Sequence, residues 1–426
     1  MRSTIILGLG YGDEGKGLAT DYLCRQSGRP LVIRFSGGHQ AGHTVVADDG
    51  RRHVFSSFGS GTFRGAPTYW SRFCTFYPIA FLNEWEALRK AGIQPKAYVD
   101  ALAPVTTPYD VFYNRATEKV QAHGSCGVGF GATVARQETP YKLFVQDLSY
   151  PGVLEQKLRA IRQYYEAKTN DGLPEGALAE EIAAFRHAAR RVLSRFELVQ
   201  EPVFFAGLLE REAFGHFIFE GSQGILLDMD HGFFPHVTRA HTTSRNALQL
   251  VRANGLPLPV IYYITRAYQA RHGNGPLTNE GLPLNVLPNP RETNRYNEWQ
   301  GRLRRSVLDL DMLQYALQCN RNYSGGQPER LAVTCLDQVE GRIRATRGGK
   351  LLEFGSAGEL ATALGFPPEA LLESWADRAE GVVRTGAGKG VEINGNAGDA
   401  GQLGWPISGQ DNTRQQKIIG NKIICF

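Results

Sequence analysis

Five short apolar runs in this sequence each end in glycine or polar residues, and segments with a helical pattern separate them. The runs are TIILGLG, PLVIRFSGG, HFIFEGSQG, LPVIYYITRAY and RLAVTCLD. Continuous apolar runs of this length are typical of parallel strands that are buried on both faces. The helical patterns are KGLATDYLCRQ, PIAFLNEWEALRKAG, VLEQKLRAIRQYYEAK, ALAEEIAAFRHAARRVLSRFELV and LDLDMLQYALQCN. The alternation predicts an α/β fold, with a mainly parallel β-sheet and flanking helices.

No internal repeat or linker divides the chain, so we expect residues 1–426 to form a single large domain. Ligands of open α/β sheets bind outside the carboxyl ends of the strands. The polar residues that follow each apolar run are therefore the first candidates for a site. The segment from Ala376 onward is rich in glycine and asparagine, and its length favours a flexible surface excursion over a ligand-covering loop.

The composition is that of a soluble globular protein, with 42% hydrophobic and 21% charged residues. A formal net charge of +5 without a long basic run favours a small anionic ligand over a nucleic acid. No apolar run approaches a membrane span, and the opening MRSTIILGLG is too short for a signal peptide. The six cysteines form no C-x-x-C pair, so neither a disulfide scaffold nor a zinc site is indicated. We therefore expect a cytoplasmic protein with no membrane or nucleic-acid partner.

The first apolar run leads into a glycine-rich loop that contains a lysine. Gly10 to Lys16 fit the phosphate-binding template G-x-x-x-x-G-K, followed by a helix whose free N–H groups attract anions. Two features are unusual for such a loop. Gly17 stands where a Ser or Thr would bind magnesium, and Asp13 and Glu14 place two carboxylates inside an anion-binding loop.

The loop taken alone supports two other interpretations. Gly10, Gly12 and Gly15 satisfy the dinucleotide-binding pattern G-x-G-x-x-G. Arg34 ends the next strand, where it could meet the 2′-phosphate of NADP. The glycines could also serve only a tight turn between a strand and a helix.

The second apolar run is followed by GGHQAGHT, in which small residues flank His39 and His43. Small residues cannot build a core, but they bring backbone and imidazole close to a ligand. Their position at the carboxyl end of a strand favours a functional role for these histidines.

Three later segments carry further polar side chains. The segment from Phe219 to Ser244 interleaves polar and apolar residues, which is typical of a loop that lines a substrate site; its polar members are Glu220, Gln223, Asp228, Asp230, His231, Thr238, Thr242 and Thr243. The arginines in GRLRR, from Arg302 to Arg305, offer bidentate partners for a carboxylate or a phosphate. Asp337 ends the strand RLAVTCLD, where it could accept N–H bonds from a guanine or cap the next turn.

Taken together, these motifs resemble the adenylosuccinate synthetase family. The segments that carry the resemblance occur in the family's order and span nearly the whole chain: GDEGKG, GGHQAGHT, EGSQGILLDMDHGFFPHVT, AYQARHGNGPL, GRLRR and LAVTCLD. The resemblance implies a ligase of purine biosynthesis that cleaves GTP and joins aspartate to C6 of IMP. It also implies Mg²⁺ as the cofactor, a cytoplasmic homodimer, and one large α/β domain around a mainly parallel sheet.

The resemblance assigns chemical roles to the residues around the first loop. Asp13 would take the N1 proton of the purine and ligate Mg²⁺ together with the backbone carbonyl of Gly42, which removes the difficulty of Gly17. His43 would protonate the bridging oxygen of the departing GDP. Lys16 would face the phosphoryl groups, and Gln223 would contact the 6-oxygen.

Other roles follow from the same resemblance. Thr238 would bind the 5′-phosphate, Arg302 would span substrate and nucleotide, Arg304 would clamp the aspartate carboxylates, and Asp337 would read the guanine. The full set of nucleotide- and substrate-binding positions is Gly12, Glu14, Gly15, Gly17, Gln40, Ser125, Cys126, Thr238, Arg302, Arg304, Asp337, Ser408 and Gly409. Arg136 is the candidate for an arginine that a neighbouring subunit lends to IMP.

Several positions depart from the family's pattern. Gln40 stands where the family has Asn, and Cys126 stands where it has a Thr; both positions contact the 5′-phosphate side of IMP. Cys335 replaces a Lys whose stem stacks on guanine, and NEWQG replaces a Thr-rich aspartate loop. These departures leave open which purine nucleotide is the acceptor and whether GTP or ATP is preferred.

Three alternatives therefore remain at this level. One is a paralogue with the same chemistry on another purine nucleotide such as (d)GMP, although a related phage branch with that activity replaces the base that Asp13 provides. A second is an NADP-dependent oxidoreductase, which leaves GGHQAGHT and GRLRR unexplained. A third is a catalytically silent nucleotide-binding regulator, which would not need Asp13, Lys16 and His43 together.

Overall fold

The computed structural model describes residues 1–121, 124–169, 172–292, 296 and 299–385. The strands are β1 (Arg2–Gly8), β2 (Pro30–Arg34), β3 (His43–Val46), β4 (Arg52–Phe55), β5 (Thr68–Trp70), β6 (Ala97–Asp100), β7 (Glu197–Val199), β8 (His216–Glu220), β9 (Pro259–Arg266), β10 (Gln269–Arg271), β11 (Arg304–Ser306), β12 (Leu308–Asp309), β13 (Glu329–Thr334), β14 (Ile343–Arg347), β15 (Lys350–Phe354), β16 (Leu371–Ser374) and β17 (Val382–Arg384). The helices are α1 (Lys16–Arg25), α2 (Pro78–Lys90), α3 (Pro108–Gln121), α4 (Phe130–Gln137), α5 (Pro151–Glu166), α6 (Glu175–Val192), α7 (Glu201–Glu210), α8 (Arg245–Ala253), α9 (Leu310–Ser324) and α10 (Ala357–Ala363).

One ten-stranded sheet organises the fold, in the order β17-β16-β13-β9-β1-β8-β2-β5-β6-β7. All of its neighbouring strands are parallel except the edge pair β16 and β17. Because parallel strands end at the same edge, the loops after β1, β2, β8, β9, β13 and β16 converge there. The β3–β4 hairpin is a separate antiparallel ribbon whose first residue is His43.

Alternating side chains of β1 pack into layers on the two faces of the sheet. Ile5 and Leu7 belong to a large cluster with residues of α8 and α9, whereas Ile6 packs on the opposite face with Ala19 and Leu23 of α1. Fully burying one such aliphatic side chain contributes about 1.5–3 kcal/mol. This packing holds the loop between β1 and α1 from both sides.

The structure confirms the predicted fold class and the five strands anticipated from apolar runs. One predicted helix was too long, because α6 ends at Val192 and the last part of that pattern forms β7. Within the segment from Ala376, the described residues form a short 3-10 turn and β17; residues 386–426 lie outside the described part. A single domain over residues 1–426 therefore stays a prediction.

Candidate active site

A cavity of about 920 Å³ lies at the carboxyl edge of the sheet. Its walls come from the loops after β1, β2, β8, β9, β13 and β16, and from the region between α3 and α4. It brings together most residues singled out from the sequence: Gly12, Asp13, Gly15, Lys16, Gly17, Gln40, Gly42, His43, Ser125, Cys126, Gln223, Thr238 and Asp337. Sequence segments that are far apart thus form one pocket.

The two carboxylates of the glycine-rich loop have opposite orientations. Glu14 is buried, and its Oε1 accepts the backbone N–H groups of Gly10 at 3.0 Å and Gly12 at 2.8 Å. Its Oε2 accepts a hydrogen bond from the Lys16 ammonium at 2.7 Å. Glu14 therefore holds the loop in shape from within, whereas Asp13 lines the pocket. Glu14 is not among the described residues that line the pocket, and its expected contact with the nucleotide stays a prediction.

Asp13 has a left-handed backbone conformation, with φ of 62°. Its carbonyl oxygen accepts a hydrogen bond from Nε of Arg266 at 2.5 Å. Arg266 in turn donates to the hydroxyl of Tyr268 at 2.6 Å and forms an ion pair with Glu292 at 3.3 Å. A strained conformation persists where its surroundings support it, and here β9 supplies that support.

Close packing explains why position 17 is a glycine and not a Ser or Thr. A Cβ added there would lie 2.8 Å from the Cβ of His43 and 3.0 Å from the Oγ of Ser60, closer than such contacts normally occur. The first helical turn of α1 therefore packs directly against the β3 residue that carries the imidazole. A Ser or Thr would push His43 away from the phosphate loop.

His43 is held by a carboxylate behind the pocket wall. Its Nδ1 lies 2.7 Å from Oε1 of Glu220, the last residue of β8. Glu220 is fully buried and also accepts the Ser60 backbone N–H at 3.1 Å and the Ser60 hydroxyl. Since a carboxylate can only accept, Nδ1 of His43 carries the proton and Nε2 is the nitrogen left for a ligand.

The charge states of this pair follow from their surroundings. Burial alone would raise the pKa of Glu220, but His43, Arg34 and the Ser60 hydroxyl lower it to about 2, so Glu220 is a carboxylate at neutral pH. Burial lowers the pKa of His43, although Glu220 opposes that effect. Without a ligand, His43 is therefore a neutral imidazole whose tautomer is fixed by Glu220.

Two glutamine side chains carry buried polar atoms without partners in the described part of the chain. Both amide atoms of Gln40 and the Oε1 of Gln223 are in this state. Gln223 has a positive φ of 46°, and its backbone lies against the phosphate loop, since a Cβ on Gly12 would be 3.6 Å from its Cα. Buried polar groups are normally hydrogen-bonded, so these amides are suited to receive a polar ligand.

The region between α3 and α4 provides another wall. Ser125 exchanges hydrogen bonds with the side chain of Asn114, at 2.9 and 3.2 Å, and its Oγ accepts the Gly127 N–H at 3.2 Å. Cys126 follows it on the pocket surface. On another wall, Thr238 is anchored by its N–H to the carbonyl of Leu227 at 2.8 Å.

The end of β13 provides another wall of the pocket. Cys335 has a left-handed φ of 59° and leads into a 3-10 turn that presents Asp337 to the pocket. Burial raises the pKa of Asp337, and the negative charge of Asp377 adds to the effect. Burial also raises the pKa of the Cys335 thiol, so it is not a thiolate at neutral pH.

Some predicted site residues lie elsewhere. Arg302 is exposed, and neither it nor Arg304 is among the described residues that line the cavity. Arg304 donates to the carbonyl oxygens of Gly273, at 2.8 Å, and Gly275, and forms an ion pair with Glu280 at 2.9 Å. It therefore supports a pocket loop from behind. Ser408 and Gly409 lie outside the described residues.

Two arginines considered from the sequence are committed to the interior. Arg34 is fully buried, donates to the carbonyl of Ala41 at 3.1 Å and stacks on Trp70. It is absent from the cavity wall formed by the described residues, which removes the basis for an NADP phosphate site. Arg136 is also fully buried and pairs with Asp110 at 2.8 Å, so it cannot extend into a neighbouring subunit.

Sequence reasoning missed several residues that shape the pocket. Glu220 was noted only as one polar residue of a loop, and its pairing with His43 spans 177 positions. His272 lines the pocket, and both of its ring nitrogens are buried without a hydrogen-bond partner among the described residues. Arg271 stacks on Tyr11 with 4.3 Å to the ring centroid. The quoted segment AYQARHGNGPL contained both His272 and Arg271, but no spacing rule marked them.

Among the described residues, no helix has the length and apolarity that crossing a membrane requires.

Comparisons with known proteins agree with this geometry. The adenylosuccinate synthetase family model matches residues 5–344. The adenylosuccinate synthetase of Xanthomonas campestris pv. campestris is 32% identical over 351 residues, which cover 80% of this chain and 78% of the relative.

Two solved structures share the fold. The fully ligated adenylosuccinate synthetase of Plasmodium falciparum matches with a TM-score of 0.70 at 18% identity, over 90% of this chain and 99% of its own. The cyanophage S-2L succinoaminodeoxyadenylate synthetase, bound to dGMP and to dATP as an energy donor, matches with a TM-score of 0.59 at 18% identity, over 90% and 95%. On the family match and the sequence identity, the chain belongs to the adenylosuccinate synthetase family of GTP-dependent ligases.

Proposed function

We propose that this protein joins L-aspartate to C6 of IMP, with cleavage of GTP, to give adenylosuccinate, GDP and phosphate. The observation that carries the proposal is that Asp13, Lys16, His43 and Gln223 line one pocket, with His43 fixed by a buried carboxylate. A carboxylate base, a cation and an oriented imidazole are the groups that phosphoryl transfer to a purine oxygen requires.

The first step transfers the γ-phosphoryl group to the purine. The Asp13 carboxylate accepts the N1 proton of IMP, and the electron pair makes O6 nucleophilic. The bond from O6 to the γ-phosphorus forms while the bond from that phosphorus to the bridging oxygen breaks. Gln223 contacts the 6-oxygen, to which its amide N–H can donate; its Oε1 has no partner in the described residues and is left to accept from a ligand.

His43 acts on the leaving group. Its Nδ1–H bond to Glu220 directs Nε2 towards the pocket. The bound triphosphate adds negative charge beside the imidazole, which raises its pKa and favours the protonated form. Nε2–H then donates its proton to the bridging oxygen of GDP, and Lys16 stabilises the phosphate charge.

The second step forms the carbon–nitrogen bond. The neutral amine of aspartate attacks C6 of 6-phosphoryl-IMP, the bond from C6 to O6 breaks, and phosphate departs with O6 and one amine proton. The resemblance assigns the aspartate carboxylates to Arg302 and Arg304. Arg304 supports the loop that carries Gly273 and Gly275, so it contributes to this subsite through that loop in the present conformation.

The residues present fit a magnesium ion. Mg²⁺ prefers oxygen ligands, and the Asp13 carboxylate and the Gly42 carbonyl are hard oxygen donors on the same pocket as Lys16. When bound, Mg²⁺ would supply charge compensation for the transferring phosphoryl group. Gly17 is compatible with this assignment, because no hydroxyl is needed from that position.

A second acceptor is favoured by a specific observation. The cyanophage relative binds dGMP, and this chain carries Gln40 and Cys126 on pocket walls where the resemblance expects Asn and Thr. Asp13 favours IMP, since it provides the N1 base that the phage branch lacks. We further propose a homodimer acting in the cytoplasm, as the resemblance implies.

The experiment is a parallel assay of phosphate release with GTP, Mg²⁺ and aspartate, using IMP, dGMP or no acceptor. Each reaction is also followed for a succinylated purine by its ultraviolet absorbance. Release that depends on IMP and yields adenylosuccinate is expected. Release with dGMP alone would replace IMP by the second acceptor, and release in none of the reactions would contradict the ligase proposal for these substrates.

A further inference from the structure

A hairpin whose loop runs from residue 375 to residue 381 connects β16 to the edge strand β17 and forms one rim of the pocket. The N–H of Trp375 donates to the carbonyl of Gly381 at 3.0 Å, which closes the hairpin. Arg378 forms a β-bridge to Val46, at the end of the strand that begins with His43. The hairpin is thus fixed to the sheet on one side and to the β3–β4 ribbon on the other.

The hairpin places Trp375 beside Cys335. Strands β13 and β16 are parallel, with Val333 opposite Glu373. Two residues further along, the chains reach Cys335 and Trp375, and both line the cavity. Trp375 lies beyond residue 344, where the family match ends, and no sequence motif singled it out.

The indole of Trp375 is unusually available for a large aromatic side chain. It is 52% exposed. Its Nε1–H donates to Glu373 at 3.1 Å, which fixes one edge of the ring. Within the described part of the chain, no aromatic ring or cation stacks on its faces. An oriented tryptophan with free faces is a stacking surface for a planar ligand.

The polar groups around the indole indicate that the base of a nucleotide, and not its phosphates, binds beside Trp375. Asp337 and Asp377 both line the cavity, and they lie near enough for the charge of Asp377 to raise the pKa of Asp337. Asp377 forms ion pairs with Arg291 at 3.4 Å and Arg378 at 3.6 Å, so Asp337 is the carboxylate that remains for a ligand. A carboxylate has two oxygens that accept N–H groups, so Asp337 matches the N1–H and 2-amino groups of a guanine. The short Cys335 side chain leaves room above the strand ends. The phosphate-binding lysine, Lys16, lies on a different wall, after β1.

We propose that Trp375 is the stacking platform for the nucleobase of the phosphate donor, beside Asp337, the residue to which the resemblance assigns the edge of that base. The inference rests on the proposed function only in taking the donor to be GTP. It adds a specificity-determining residue outside the family-matched segment.

The test measures binding to the full chain by calorimetry, with Mg²⁺ and without acceptor. The ligands are GTP, GDP and inorganic tripolyphosphate, which has the phosphates but no base. Replacing Trp375 by Ala is expected to weaken GTP and GDP about 10-fold or more, because base stacking on an aromatic residue is lost. Tripolyphosphate affinity is expected to stay unchanged, and Trp375→Phe is expected to keep GTP affinity within about 3-fold because it retains a ring.

A matched control is Tyr150→Ala, which removes an exposed aromatic ring that is not on the cavity. It should leave all three affinities unchanged. Indole fluorescence adds a second measurement: GTP should quench the wild-type signal, and Trp375→Phe should remove that change. The fluorescence comparison needs only the conservative variant, so it holds even if Trp375→Ala does not fold.

Several outcomes would overturn the inference: unchanged GTP affinity in Trp375→Ala, an equal loss for tripolyphosphate, a loss for IMP in place of GTP, or a wild-type protein that binds no guanine nucleotide. Failure of the proposed function is distinguishable from these results. A protein that binds GTP through Trp375 but forms no succinylated purine would retain this inference and lose the ligase reaction.

Discussion

Two walls of the pocket differ in how completely their polar groups are hydrogen-bonded. On the phosphate-loop wall, Glu14 pairs with Lys16 and Glu220 pairs with His43, so these side chains are already oriented. On a second wall, which we call the amide wall and define by Gln40, Gln223 and His272, buried polar atoms have no partner among the described residues. The first wall is therefore preorganised for charge stabilisation, whereas the polar groups of the second wall need a ligand to complete their hydrogen bonds.

This difference predicts different kinetic effects for the two walls. Variants on the preorganised wall should lower kcat, because they remove stabilisation of the transition state. Replacing Gln40, the amide-wall residue with no role in the chemical step, should raise KM for the acceptor with little change in kcat.

Removal of the Asp13 carboxylate should have the largest effect. Asp13→Asn is the sharper variant, because asparagine tolerates the left-handed conformation that alanine would strain. Turnover should fall at least ~10³-fold with GTP affinity largely intact, since the N1 base is lost. Asp13→Ala should likewise abolish turnover. Phosphate release measures the effect, and an active Asp13 variant would rule out the N1-deprotonation mechanism.

His43→Asn should reduce kcat by ~10²-fold or more, because the acid for the leaving oxygen is removed. The same hairpin offers a matched control: His53 pairs with Glu84 at 3.3 Å but is not on the cavity. His53→Asn should leave kcat nearly unchanged. Equal effects of the two variants would return His43 to a structural role.

Glu220→Gln tests whether the buried carboxylate acts through His43. Its negative charge raises the pKa of His43, so its removal should lower that pKa further. Because His43 must be protonated to act as the acid, the loss of activity on raising pH should shift to lower pH. We expect kcat to fall roughly 10-fold at neutral pH. Glu84→Gln is the control, and an unmoved pH profile would contradict the positioning role.

Gln40→Ala should produce the smallest change. Loss of an amide partner for the acceptor should raise its KM about 10-fold or less, with kcat and KM for GTP nearly constant. Steady-state kinetics with each substrate varied in turn provides the measurement. A fall in kcat with unchanged acceptor KM would break the division between the two walls.

The sequence predicted much of the fold because long apolar runs leave few alternatives. β1, β8 and β9 were anticipated in this way, whereas β5 and β7 span only three residues each and carry no comparable pattern. The sequence analysis included the residues of β7 in a predicted helix. Residues 197–199 form a strand because they pair with β6, and the local sequence pattern does not show a partner so distant in the chain.

The candidate site was predictable where its functional residues lie close together in the sequence. The loop from Gly12 to Gly17 and the two histidines stood out by residue type. Glu220 and Trp375 did not, because their surroundings are made by strands that are distant in the chain. The opposite orientations of Asp13 and Glu14 could not be predicted from their sequence positions either, because they depend on the backbone conformation of the loop.

The most direct test of the mechanism follows one oxygen atom. IMP labelled with ¹⁸O at position 6 is incubated with the protein, GTP, Mg²⁺ and aspartate, and the released phosphate is analysed by mass spectrometry. If O6 attacks the γ-phosphorus and then departs from C6, every phosphate formed with adenylosuccinate carries one ¹⁸O. Unlabelled phosphate, released together with the succinylated purine, would contradict the phosphorylated intermediate on which the account depends.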